Sequence, residues 1–186
     1  MDGILRKLPI GIQTFEKLRE GDYLYVDKTA LVWRIASTET PYFLSRPRRF
    51  GKSLLPSTFE AYFEGKKELF EGLAIADMEK EWKTYPVFHL DLNAEKYDSP
   101  QALVEILSRQ LTQWELKYGK GEDEETLSGR FAGVIRRASE QADRGVVVLV
   151  DEYDKPLLQA LDDGALLDDY RNCLLYTSDA ADDLLC

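Results

Sequence analysis

At 186 residues, with 44% hydrophobic and 31% charged side chains, the chain is long enough for one domain with a real core. No apolar run approaches the roughly 20 residues that cross a bilayer, and Met1-Asp2-Gly3-Ile4-Leu5-Arg6 lacks the apolar stretch of a secretory leader, so a cytoplasmic protein is expected. A formal charge of -10 argues against one broad nucleic-acid footprint, leaving room for a local basic patch. Both cysteines, Cys173 and Cys186, lie at the far end, so disulfides are not expected to shape the fold.

Ile12, Phe15 and Leu18 recur at helical spacing over residues 10–20, and Gly21-Asp22 ends that piece. Tyr23-Leu24-Tyr25-Val26 reads as a short strand. Asp27 is placed to cap a helix from Lys28 to Ala36, with Leu31, Val32 and Ile35 on its apolar face. Tyr42-Phe43-Leu44 reads as a brief buried strand running into an arginine-rich loop. From Gly51 to Phe63 a helix is expected, stopped by Gly65. Residues 66–85, with Leu69, Phe70, Leu73 and Trp82, read as short helices and loops.

Val87-Phe88-His89-Leu90-Asp91-Leu92 is the next strand. Ser99-Pro100 opens the longest helix, with Leu103, Ile106, Leu107, Leu111 and Trp114 along one side. Gly119 to Glu125 is a polar, acidic loop. Phe131, Val134, Ile135 and Ala138 mark another helix, broken by Gly145 before Val146-Val147-Val148-Leu149-Val150. Five apolar residues in a row predict a strand buried on both faces. Strands alternating with helices predict an α/β fold with parallel pairing.

The last segment, Cys173 to Asp183, reads CLLYTSDAADD. It resembles the translation of a transposase-adapter end used in sequencing libraries. Segments of that origin are set aside in fold reasoning, so the expectation is a natural domain over 1–172 and an artefactual tail over 173–186. An ordinary acidic terminus is the alternative.

Gly51-Lys52-Ser53 carries the end of the P-loop pattern, G-x-x-x-x-G-K-[ST]. Glycine lets backbone amides turn toward phosphates, lysine reaches the β- and γ-phosphates, and the serine hydroxyl is a hard oxygen ligand for magnesium. The following helix aims its N-terminus at the anion. Arg46 stands at the first glycine position, in a loop that continues Pro47-Arg48-Arg49-Phe50. A bare tripeptide of this kind is only moderately specific; a basic surface loop opening a helix would look similar. The apolar run ending in Asp151-Glu152 supplies the second signal, a Walker B strand. Asp151 is the candidate magnesium residue, through water, and Glu152 the candidate base that polarises an attacking water.

Tyr25-Val26-Asp27-Lys28-Thr29, then Ser45-Arg46-Pro47-Arg48-Arg49-Phe50-Gly51-Lys52-Ser53-Leu54, then Val150-Asp151-Glu152-Tyr153-Asp154-Lys155-Pro156 together resemble the predicted AAA-ATPase-like family over about residues 7–172. In that family arginine also replaces the first P-loop glycine. The resemblance implies a three-layer α/β/α P-loop domain of the additional-strand type, with ATP and Mg2+ as cofactors. It implies nucleotide contacts from Arg46, Pro47, Arg48, Arg49, Phe50, Gly51, Lys52, Ser53 and Leu54, metal contacts from Ser53 and Asp151, and catalysis by Glu152 and Lys52. Relatives usually continue into a sensor strand and a PD-(D/E)XK nuclease-like domain, which implies nucleic acid as a further partner of the longer protein.

The expected function is ATP binding with Mg2+, and hydrolysis in the intact protein. A nucleotide-dependent switch without turnover, or nucleic-acid binding through Arg46, Arg48 and Arg49, are the alternatives. The sensor strand would lie between the P-loop and Walker B strands, so 1–172 should show a gap, a direct pairing of those strands, or Leu174-Leu175-Tyr176-Thr177 lodged as a substitute strand.

Other residues have plainer readings. His89 is expected in the core or at a strand edge, and with one histidine a zinc site is not expected. Asp91 has a weak claim on the site and a stronger one as a loop cap. Asp154 is open between a site role and a helix cap. Asp162, Asp163, Asp168 and Asp169 read as a solvated face, and Tyr23, Tyr25 and Trp33 as core residues before adenine platforms. Pro56 falls where the family has an apolar helix former. One turn into a helix it would delete a hydrogen bond at a cost of roughly 3 kcal/mol.

Overall fold

The computed structural model describes residues 6–38, 40–45, 51–93 and 96–182. The chain divides into two compact units, Met1–Thr84 and Tyr85–Cys186.

In the first unit, α1 (Phe15–Glu20) buries Phe15 and Leu18 and closes where the Gly21 amide returns to the Lys17 carbonyl at 3.1 Å. Helix α2 (Thr29–Ala36) starts one residue later than predicted, with Lys28 at the N-cap position and Asp27 just before it. Asp27 Oδ1 accepts the Thr29 amide at 2.8 Å and its hydroxyl at 2.7 Å. The other oxygen of Asp27 accepts the Ala74 amide at 2.7 Å, at the start of α4 (Ala74–Met78), so one carboxylate serves two helix ends. Between them lie α3 (Leu54–Phe63) and a 3-10 turn, Lys67–Phe70. The core here is aromatic: Phe70 stands 4.8 Å from Phe15 and 5.3 Å from Trp82, centroid to centroid. Tyr25 packs edge-on to Phe15 at 5.3 Å, which bears out its core reading.

Four expectations fail in this unit. Tyr23 forms only an isolated bridge to Lys7, and Tyr42-Phe43-Leu44 is no strand, with Phe43 83% exposed. A three-residue extended piece is stabilised only by a ladder partner, and the described residues of this unit supply none. Leu31 points outward, leaving Val32 as the buried apolar residue of α2, with Thr29 buried at its start. Pro56 is the third residue of α3, among the first-turn amides that have no intrahelical acceptor. Its predicted cost therefore falls away.

The second unit is built on β1 (Val87–Asp91) and β2 (Val147–Asp151), parallel and in register from Val87 opposite Val147 to Asp91 opposite Asp151. The crossover runs through α5 (Pro100–Tyr118) and α6 (Leu127–Ala142). Thr126 caps α6 by accepting the Gly129 amide at 3.1 Å. Asp143, at φ 52, ends it, two residues before the expected breaker Gly145. Phe88 of β1 packs with Leu111, Phe131, Val134, Ile135, Ala138 and Val146. Leu90 joins Leu92, Tyr97, Leu103, Leu107, Ala160 at the end of α7 (Lys155–Gln159), and Leu166, Tyr170 and Leu174 on α8 (Gly164–Asp182).

Mixed helices and a parallel pair are compatible with the predicted α/β class. The sheet, however, has two strands among the described residues, so β2 is an edge. Val150 is 40% exposed, which corrects the reading of a strand buried on both faces. Residues 174–177 continue α8 and form no substitute strand, because the preceding turns of that helix already bury Leu166 and Tyr170 on the face that Leu174 shares. Among the described residues no helix is long and apolar enough to cross a membrane.

Candidate nucleotide site

The predicted site residues fall on both units, and each half is described by itself. In the first unit the chain turns at Gly51, whose φ of 75 is the left-handed region. A β-carbon there would meet nothing within 4 Å, so glycine is needed for the backbone angle and not for space. Lys52 is half-buried, and its carbonyl accepts the Leu55 amide at 3.2 Å in the first turn of α3. Ser53 is the N-cap residue but has helical backbone angles, and its hydroxyl makes no capping bond. Leu54 begins the helix. Arg46, Pro47, Arg48, Arg49 and Phe50 lie outside the described residues.

One hydrogen bond ties α3 to the start of α1, and two more close its own first turn. Ser57 Oγ accepts the Phe15 amide and donates to the Leu54 carbonyl, both at 2.9 Å. Thr58 Oγ1 donates to the same carbonyl at 2.7 Å. Burial pushes the Tyr25 hydroxyl above its ordinary range, with the Asp27 carboxylate adding to it and a hydrogen bond with Thr58 opposing. The sequence named Tyr25 as part of a motif; its tie to Thr58 of α3 shows only when the chain is folded.

In the second unit Asp151 is the last residue of β2, at the C-terminal edge where open α/β sheets bind ligands. It is buried, at 8% exposure. Its Oδ1 accepts the Glu152 amide at 2.9 Å, and its carbonyl accepts the Leu92 amide at 3.1 Å. Glu152 is half-buried and stands at φ 55, an uncommon angle for a residue with a β-carbon. Asp154 sits at the N-cap of α7 but makes no capping bond to it.

Asp91 lies beside Asp151 in register and is exposed, its Oδ1 accepting the Asn93 amide at 2.8 Å. That is the loop cap the sequence favoured. His89 is half-buried in β1 opposite Leu149. Asp162, Asp163, Asp168 and Asp169 are exposed, as expected, although Asp163 also accepts the Leu166 amide at 3.1 Å at the start of α8. Sequence reasoning missed Asn93 and the Lys155 side chain, which meet at this edge.

Residues 9–177 match the AAA-ATPase-like family, described as "Predicted AAA-ATPase". The chain belongs to that family. It is 43% identical over 157 residues to a protein of Azotobacter chroococcum mcd 1 named "Uncharacterized protein in vnfD 5'region". That alignment covers 84% of this chain and 30% of the relative, so the chain spans about a third of the length of the relative it matches. No solved structure matches.

Proposed function

We propose that this chain binds ATP together with Mg2+ and that the longer protein hydrolyses it. The observation that carries the reading is Asp151, a buried carboxylate at the C-terminal end of a parallel strand in a chain of a predicted AAA-ATPase family. On the phosphate side the support is Gly51 in left-handed backbone, Lys52 after it, and Ser53 with a hydroxyl not spent on its helix.

Among the described residues no three His, Cys, Asp or Glu side chains gather to cage a metal. Magnesium that arrives with a nucleotide needs only one or two protein oxygens beside phosphates and waters, and Ser53 and Asp151 are hard oxygen donors of that kind. The ion would supply charge neutralisation at the phosphates. Lys52 would hold the β- and γ-phosphates by point charge, with Arg46 to Leu54 as the candidate phosphate contacts, and Glu152 would accept a proton from water.

The test is Lys52→Ala, with nucleotide affinity measured by calorimetry. Removing that lysine should abolish detectable ATP binding; wild-type affinity in a folded variant would refute the phosphate site.

A further inference from the structure

We infer that Lys155 is a positioning residue that holds Asp151 and Glu152 in register with the end of the neighbouring strand, and so sets the magnesium dependence of nucleotide binding. This rests on the nucleotide reading above. The starting point is the backbone of Glu152. A non-glycine residue at φ 55 crowds its β-carbon against its own carbonyl, and such an angle persists only where the surroundings over-determine it.

The surroundings are three. The Glu152 amide donates to Asp151 Oδ1 at 2.9 Å. The Glu152 carbonyl accepts the Lys155 amide, also at 2.9 Å, which closes a turn over residues 152–155. The Lys155 ammonium then leaves that turn and donates to the Asn93 carbonyl, and to Asn93 Oδ1 at 3.2 Å. Asn93 in turn gives its amide to Asp91 Oδ1 at 2.8 Å. One side chain therefore ties the segment after β2 to the segment after β1, at the edge of the sheet where Asp91 and Asp151 stand opposite each other.

The tie is separable from the fold. Helix α7 is also fastened one turn further on, where Gln159 Oε1 accepts the Tyr97 amide at 3.0 Å, and Pro156 is buried beneath it. Without the ammonium α7 stays seated, while the strained turn loses its anchor on Asn93. Asp151 Oδ1 then loses a fixed donor, and its carboxylate gains freedom to rotate. Outer partners of this kind orient the groups that hold a metal.

The experiment compares the chain with Lys155→Met, Lys155→Arg and Asn93→Ala. A fluorescent ATP analogue is titrated first in EDTA and then at fixed nucleotide with rising Mg2+, and urea midpoints are recorded in parallel. Lys155→Met should fold, bind the analogue in EDTA as wild type does, and need on the order of tenfold more Mg2+ for half-saturation. Lys155→Arg should recover most of that shift. Asn93→Ala, which removes one of the two acceptors, should show a smaller shift of the same kind, and it decides the matter if Lys155→Met fails to fold. An unchanged Mg2+ requirement overturns the inference, as does an equal loss of affinity with and without Mg2+. A wild type whose nucleotide binding ignores Mg2+ refutes the magnesium reading itself, and Lys155's role with it.

Discussion

Gly51 and Glu152 share left-handed backbone, at φ 75 and φ 55, with opposite consequences. At Gly51 the angle is free; at Glu152 the β-carbon costs about 1–2 kcal/mol in local strain. Glu152→Gly should therefore leave stability unchanged or raise it by up to about 1 kcal/mol, since glycine's gain in the folded state is partly offset by its freedom unfolded. Glu152→Val should lower stability by more than about 1 kcal/mol, because a branched side chain fits this region worst. Urea midpoints read both, and a destabilising glycine would show that the angle is not strained. That Lys52 precedes a helix and that Asp151 ends a strand was legible from residue type and spacing alone. The Glu152 angle was not, because glutamate carries no local signal for it. Asp27 was half legible: its role at α2 follows from adjacency, while its bond to Ala74 joins residues 47 apart. Burial works to raise that carboxyl, yet the Ala74 amide and the Thr29 donors hold it below its ordinary value.

Helices α5 and α6 were predicted from apolar spacing, but ion pairs also tie α6 to α5 and to the loop that follows it. Arg130 donates to both oxygens of Glu115 at 2.7 Å, and Arg137 to Glu124 at 2.5 and 2.9 Å. The first pair is nearly buried, with side-chain exposures of 12% and 6%. Arg130's hydrogen bonds hold Glu115 below the ordinary 4.5, and Arg137's do the same for Glu124. A depressed folded value means the stabilisation is complete above about pH 4.5 and is lost as pH falls through the folded values. Unfolding free energy should drop more steeply below pH 4.5 in wild type than in the Glu115→Gln, Glu124→Gln double variant; parallel acid limbs would remove the pairs as the cause. Gly133 belongs to the same joint, since a β-carbon there would overlap the Glu124 carboxylate. No helical pattern announces such pairs: the loop from Gly119 to Glu125 reads as merely acidic. The strands show the converse failure. Val146 to Val150 has the composition of a doubly covered strand, but coverage depends on neighbours that composition does not encode.

Each unit has a core of its own, so the molecule should respond to core damage one unit at a time. In Met1–Thr84 the core is the aromatic set around Phe15 and Phe70, held at its rim by Asp27 between α2 and α4. In Tyr85–Cys186 it is one cluster around Phe88 and another around Leu90, the second including Tyr170 and Leu174 of α8. Asp27→Ala leaves the Ala74 and Thr29 amides unpaired and should cost about 1–2 kcal/mol in the first unit. Leu174 is 3% exposed, so Leu174→Ala should cost about 2–5 kcal/mol in the second, whereas Leu161, 62% exposed, should tolerate alanine. Scanning calorimetry of the chain should then resolve two components, with the calorimetric enthalpy exceeding the van't Hoff value. Asp27→Ala should lower one component and Leu174→Ala the other, and hydrogen exchange should assign each to residues on its own side of Thr84. One transition, lowered alike by both substitutions, would mean that the two cores unfold as a single cooperative unit.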